Sequence, residues 1–188
     1  DSAVIYFLFF AKILYKRIGG RIYQRMSNRI VIIGAGSTNF GLGIVGDFFK
    51  SKILSGSTLV LHDINPETLK NTYEIALSYK EKLGVNFNIE STTSRSDALK
   101  KADFCLISIE VGNRFELWEQ DWKVPLQYGI KQVYGENGGA GGLFHAMRQV
   151  PAIIKICEDI EKICPEAFVF SYSNPMQRKG IGPTAECY

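Results

Sequence analysis

The 188-residue chain is poor in the residues that announce a metal or redox centre. It has only two histidines, His62 and His145. His145 has no second ligand at helical spacing and reads as structural, and His62 looks inward on a strand and reads as core. The four cysteines, Cys105, Cys157, Cys164 and Cys187, form no C-x-x-C pair, which removes the usual zinc-ribbon and thioredoxin spacings. They read as buried free thiols, in keeping with a reducing cytoplasm. The apolar stretch AVIYFLFFAKIL (residues 3–14) is shorter than the roughly 20 residues that span a bilayer, so no membrane partner is expected. Nor is there a basic excess in the body of the chain. Residues 1–25 carry five basic and one acidic residue, and the remainder carries 17 basic and 18 acidic, so nucleic acid is not an expected partner. Internal repeats and low-complexity segments are also missing.

What is present begins at IVIIGAGSTNFG, residues 30–41. Four β-prone apolar residues run into Gly34-Ala35-Gly36, the opening of a dinucleotide-binding unit. The first glycine permits a tight turn. The second lets the backbone approach a pyrophosphate, which the following helix meets with its N-terminal amides. The usual third glycine would fall at Asn39, and Gly41 comes two places late. A slightly displaced helix is expected to do without it, with Ser37 and Thr38 capping the helix and contacting phosphate at once.

The chain then alternates strand and helix. Helical spacing of Phe40, Ile44, Val45, Phe48 and Phe49 is followed by a strand from Thr58 to Asp63. A long helix opens at Asn65-Pro66 and runs through Lys82, then come a short strand from Phe87 to Glu90 and a short helix from Asp97 to Ala102. A strand from Asp103 to Ile109, an amphipathic stretch from Phe115 to Tyr128 and a glycine-rich loop from Gly135 to Gly142 follow. Helical sequence from Leu143 to Ile163, with a kink or break expected at Pro151, leads to a strand from Ala167 to Ser171. Strands separated by helices imply right-handed crossovers and an α/β fold with a doubly wound parallel sheet, a Rossmann domain.

That context gives the incomplete glycine motif its meaning. Asp63 ends the second strand about thirty residues past Gly34, placed to accept hydrogen bonds from both ribose hydroxyls of adenosine and to repel a 2′-phosphate, which favours NAD over NADP. The alternative for Asp63 is a turn-capping carboxylate. Ligands of such sheets lie beyond the strands' carboxyl ends. Three segments are candidates for that crevice: Glu110 to Arg114, Tyr134 to Gly142 with Glu136 and Asn137, and Ser173 to Met176 with Asn174. Each has a plainer alternative: Asn174 in an Asn-Pro turn, Glu136 as a solvated loop acid, Arg114 in a surface salt bridge.

The motifs GAGS, HDIN, VGNR, VPLQYG, GENGGAGGLFHAMR and YSNPM occur in that order. As a set they resemble glycoside hydrolase family 4, the NAD- and manganese-dependent glycosidases with a lactate/malate dehydrogenase-like fold. The resemblance covers Met26 to about Arg178. It implies hydride removal from C3 of a sugar by NAD, proton abstraction at C2 by a tyrosine base, elimination of the aglycone, addition of water and return of the hydride, outside the two-carboxylate scheme. It implies NAD binding by Gly34, Gly36, Ser37 and Asp63, to which the turn itself adds Ala35 and Thr38, and a substrate-binding asparagine at Asn174. Arg114 and Asn137 are assigned to the substrate with it, and Glu136 matches an acid that raises the basicity of the tyrosine. Phosphosugar-specific members place an arginine shortly before the Ile/Val-Pro step, a place that falls here near Trp118, so an unphosphorylated glycoside is expected.

The family's metal-binding cysteine and histidine and its tyrosine base lie downstream of the Asn-Pro motif. The expected organisation is therefore an extension over residues 1–25, non-native or disordered, an NAD-binding domain over 26–178 and an aberrant or truncated tail over 179–188. The C-terminal catalytic domain and the manganese ligands are then missing, and this chain alone is expected to be inactive. A homo-oligomer is implied at full length, in the cytoplasm. The competing readings are an NAD-dependent 2-hydroxy-acid dehydrogenase and a nucleotide-binding module without catalysis.

Overall fold

Successive residues of a strand point to opposite faces of its sheet, and here both faces are covered. A computed structural model of the chain describes residues 27–37 and 41–174. The five strands are β1 (Arg29–Ile33), β2 (Thr58–His62), β3 (Asn88–Thr92), β4 (Phe104–Ile107) and β5 (Phe168–Ser171). They form one all-parallel sheet in the order β3-β2-β1-β4-β5. The helices are α1 (Gly41–Lys50), α2 (Pro66–Leu83), α3 (Arg95–Leu99), α4 (Arg114–Gln127) and α5 (Gly139–Ile163).

Ile30 and Ile32 of β1, with Leu59 and Leu61 of β2, pack with Val45, Phe48 and Phe49 of α1 and Leu69 and Ala76 of α2. The alternate residues Val31, Ile33, Val60, Cys105 and Ile107 meet Ala98 and Leu99 of α3 and Ile153, Ile156 and Ile160 of α5. The result is a helix–sheet–helix sandwich, the doubly wound α/β fold expected from the alternation. The expected elements all form, with boundaries shifted by one to four residues. Helix α2 has the signals its sequence advertises. Asn65 accepts from the amides of Glu67 and Thr68, Pro66 takes the first turn, and Gly84 ends the helix at φ +61°.

Two expectations need correction. Helix α5 begins at Gly139, inside the glycine-rich run, and continues without a break through Pro151 to Ile163. Pro151 lies on the exposed side, and the packing of Ile153, Ile156 and Ile160 against the sheet offsets the lost backbone bond. Helix α4 does not bury an apolar stripe. Its buried residues are Asp121 and Pro125, while Phe115 remains 75% exposed. It packs against α5 through a charge pair, Arg148 Nη1 and Nη2 to Asp121 Oδ1 and Oδ2 at 2.9 and 2.5 Å.

A further observation concerns Gly41, the glycine that comes two places late. Helix α1 opens at Gly41, and a Cβ there would stand 2.0 Å from the Ala35 carbonyl oxygen. Gly41 therefore allows helix α1 to start in close contact with the turn that follows β1.

The expectations for residues 1–25, Thr38, Cys187 and residues 179–188 lie outside the described residues. Among the described residues, no helix is long and apolar enough to cross a membrane.

Candidate functional site

The parallel register brings the strand ends into one line. Ile33 pairs with His62 on one side and Ile107 on the other, and Ile107 pairs with Ser171. The residues that follow, Gly34, Asp63, Ser108 and Tyr172, therefore share one edge of the sheet. Its topological switch point lies between β1 and β4, where such folds open a crevice.

The turn after β1 is tight because the neighbouring chain crowds it. Gly34 has φ +90°, and a Cβ there would lie 2.0 Å from the Ser108 carbonyl oxygen. The amides of Gly34 and Ala35 both donate to the His62 carbonyl, at 2.9 and 3.0 Å. At Gly36 a Cβ would stand 2.4 Å from Thr68 Oγ1 and 2.8 Å from Asp63 Oδ2. The Gly36 amide instead donates to Asp63 Oδ2 at 2.8 Å, and Asn65 N–H donates to Oδ1 at 2.9 Å. The Asp63 carboxylate thus faces the glycine bend. It caps the next turn as well, so the plainer reading of Asp63, a turn-capping carboxylate, holds. His62 is buried, with Nδ1 3.0 Å from the Thr92 carbonyl, and burial lowers its pKa.

Across the switch point, a cleft is lined by Ser37, Ser108, Ile109, Glu110, Arg114, Glu136, Tyr172, Ser173 and Asn174. All three candidate segments thus reach the same crevice. Glu136 is 7% exposed, so it is not a solvated loop acid. Arg114 Nη2 lies 3.3 and 3.4 Å from its two oxygens, and the Asn174 amide donates to Oε1. Arg114 is therefore held between a buried carboxylate and the Trp118 ring, with Cζ 4.3 Å from the ring centroid, rather than forming a surface pair. Tyr134 stands edge-on to Trp118 and Trp122. Burial and the charge of Asp47 push the Tyr172 phenol up, which keeps it a protonated donor near neutral pH. Asn137 is exposed on the loop and is not among the lining residues.

The residue that sequence reasoning undervalued is His145. It is 1% exposed and lies between two acids, with Nδ1 3.8 Å from Glu110 Oε1 and Nε2 3.9 Å from Glu136 Oε2. The Gln149 amide, one turn further along α5, donates to Glu110 Oε1 at 2.5 Å. No spacing rule links positions 110, 136 and 145. The one available signal was a histidine and a glutamine on the same helix face behind a glycine-rich loop.

Glu110, Glu136 and His145 offer donor atoms within 4.8 Å of one another. At 3.8 and 3.9 Å the two ring-nitrogen to carboxylate pairs are ion-pair distances and not hydrogen bonds. The described cysteines, Cys105, Cys157 and Cys164, are free, and burial raises Cys105 and Cys164 away from the thiolate form.

Comparison with known proteins agrees with the motif order. A 54% identical alpha-glucosidase from Erwinia rhapontici aligns over 81% of this chain and 34% of its own length. A 6-phospho-alpha-glucosidase from gut microorganisms, solved with NAD and Mn2+, superposes with a TM-score of 0.70 at 24% identity, over 79% of this chain and 33% of that one. Malate dehydrogenase from Plasmodium falciparum superposes at TM-score 0.53 and 23% identity, over 79% of this chain and 37% of its own, and shares the fold. The chain spans about a third of the length of the curated relatives it matches. The model of "Family 4 glycosyl hydrolase" matches residues 29–180, from the first strand through the Asn-Pro motif, and the chain therefore belongs to that family.

Proposed function

We propose that the chain forms the NAD-binding part of a family 4 glycosidase that cleaves the O-glycosyl bond of an unphosphorylated glycoside. The observation that carries this reading is the Asp63 carboxylate, held 2.8 Å from the Gly36 amide at the edge of the switch-point crevice. The residues fit a dinucleotide. Asp63 is half-buried and still has acceptor capacity for two ribose hydroxyls, and its charge opposes a 2′-phosphate. Position 36 has no room for a side chain, and Ser37 stands on the cleft wall beside it. When bound, NAD supplies a reversible hydride acceptor for C3 of the sugar.

The chain's own groups then bind and orient. Asn174 presents an amide to a sugar hydroxyl, Arg114 adds a fixed cation, and Glu136 stands as the acid that raises the basicity of a tyrosine supplied from outside this chain. Manganese ligands are likewise assigned outside the chain, and no step here is routed through a metal. An unphosphorylated substrate is supported by Trp118 in the place of the phosphosugar arginine, and by Arg114 being already paired with Glu136. The 54% identity to an alpha-glucosidase agrees with it. Three free thiols suit the cytoplasm, and homo-oligomer formation belongs to the full-length protein.

Titration calorimetry with NAD+ and NADP+ tests the reading. NAD+ binding that Asp63→Ala weakens at least tenfold, with NADP+ weaker still, is the expected result. A folded chain that ignores both nucleotides would refute it. In the full-length protein, preference for a nitrophenyl 6-phosphoglycoside over the plain glycoside would refute the substrate assignment.

A further inference from the structure

The loop that joins α4 to α5, residues 128–138, is exposed along most of its length, yet at one point it delivers a side chain to the cleft. Glu136 is 7% exposed there, and only Gln132 and Gly135 turn partly inward beside it. Loops of this length are ordinarily mobile, so a buried acid within one needs an anchor.

Gln132 has the geometry of that anchor. Its side-chain Nε2 donates to the Asp121 carbonyl of α4 at 3.0 Å, and its Oε1 accepts from the Gly141 amide of α5 at 3.2 Å. Its own carbonyl accepts from Trp122 Nε1 at 3.3 Å. A primary amide can serve a carbonyl and an N–H at once, whereas an ionised carboxylate only accepts and an ammonium only donates. The Gly141 amide is among the donors that the first turn of a helix leaves over, and Gly138 at the N-cap has no side chain to satisfy it. Gln132 therefore caps α5 from outside the helix. The glycines make room for it. A Cβ at Gly139 would stand 2.6 Å from Gln132 Oε1, and one at Gly141 would stand 2.7 Å from Nε2 and 3.0 Å from the Asp121 carbonyl oxygen.

Gly142 carries the effect to the cleft. A Cβ there would lie 3.1 Å from the Glu136 carbonyl oxygen, so the Glu136 backbone rests on the turn that Gln132 caps. Tyr134, between the two, stands edge-on to Trp118 and Trp122, and the Trp118 ring carries Arg114. We propose that Gln132 is the positioning residue of this cleft: it ties α4 to the first turn of α5 and so holds the Glu136 side chain against Arg114 and Asn174. The inference about its role rests on the reading of Glu136 as part of the working site. The clamp itself does not. The glycine-rich run then serves helix packing around one glutamine, with the Gly141 and Gly142 amides spent on Gln132 and the Gly138 carbonyl rather than on a ligand.

The whole 188-residue chain serves for the test, with the Asn174 side-chain amide as reporter of its bond to Glu136 in ¹H–¹⁵N spectra. Gln132→Met, close in size but unable to make either bond, is expected to speed exchange of the Gly141 amide by about tenfold or more. It should also return the Asn174 side-chain signals to those of a solvated asparagine, while NAD+ affinity stays within about twofold. Ile153→Val, which weakens the same helix from its sheet face, is expected to leave the Asn174 signals in place. Wild-type Asn174 signals in Gln132→Met, or the same loss in Ile153→Val, would overturn the proposal. Should Gln132→Met not fold, Gln132→Glu keeps the acceptor for Gly141 and removes the bond to Asp121. It should still shift the Asn174 signals, and unchanged signals would again overturn the proposal. Kinetics of the full-length enzyme separate the two readings. Gln132→Met is expected to lower kcat/KM by about tenfold or more through misplacement of Glu136. Full activity in Glu136→Gln would sink the role given to Glu136 and leave the clamp standing or falling by the Asn174 signals.

Discussion

The glycine turn and the acid trio share one edge of one sheet, but they are built from different materials. At the turn the contacts are largely backbone: amides of residues 34 and 35 on the His62 carbonyl, and a carboxylate on the Gly36 amide. Around Glu136 they are side chain to side chain, drawn from the ends of β4 and β5, the loop before α5, α4 and α5 itself. A backbone site needs only residues that leave the backbone alone, here glycines and one acid. A side-chain site needs each partner to be delivered by a different element, so it depends on the packing of the whole domain.

The sharpest break should come at the turn. Gly34→Ala forces a side chain into φ +90° and against the Ser108 carbonyl, with an expected loss of about 2–5 kcal/mol in stability. A urea denaturation curve measures it, and a wild-type midpoint would show that the strands can separate there at no cost. The side-chain region should yield more gently. Asp121→Asn leaves the partly exposed Arg148 without its bidentate partner and should cost about 1–3 kcal/mol, since solvent reaches the arginine. Its expected signature is selective loosening of α4 and of the loop before α5 in hydrogen exchange, with β1 to β3 unaffected.

Function separates the two regions further. Asp63→Asn keeps an acceptor for the Gly36 amide but removes the charge that favours ribose hydroxyls. A loss in NAD+ affinity of roughly tenfold, about 1.4 kcal/mol, is expected with little change in the denaturation midpoint. Asn174→Ala should leave NAD+ affinity within about twofold, because Asn174 donates to Glu136 and not to the turn. Equal weakening by both substitutions would mean that the regions are one site.

The smallest effect is a pH dependence. Burial depresses the pKa of His62 in the folded chain, so the unfolded chain binds the proton at higher pH. The stability that a neutral His62 permits is present above about pH 6.5 and is lost progressively as the pH falls below it. Denaturation midpoints at pH 7.5 and 5.5 should differ less in His62→Gln than in the wild type.

Several features of the fold can be read directly from residues. Ile30 to Ile33 are apolar on both sides because both sheet faces are covered, and Asn65, Pro66 and Gly84 mark the ends of α2. Helix α4 could not be read so. Its Phe115, Val124 and Leu126 suggest a buried stripe, yet the helix buries Asp121, because its neighbour offers Arg148. Asn39 suggests a missing glycine, and only the folded chain reveals that Gly41 sits close against the Ala35 carbonyl.

The sequence by itself determined the parallel sheet, the turn after β1, the acid at the end of β2 and the family. Each of these rests on local backbone preference or on the period of apolar residues, which nearby positions in the chain carry. Tertiary structure alone decided that Glu110, Glu136 and His145 meet, and that Arg114 and Asn174 close on the same carboxylate. Each of these side chains comes from a different element, and their meeting is a property of the packed sandwich that no single segment possesses.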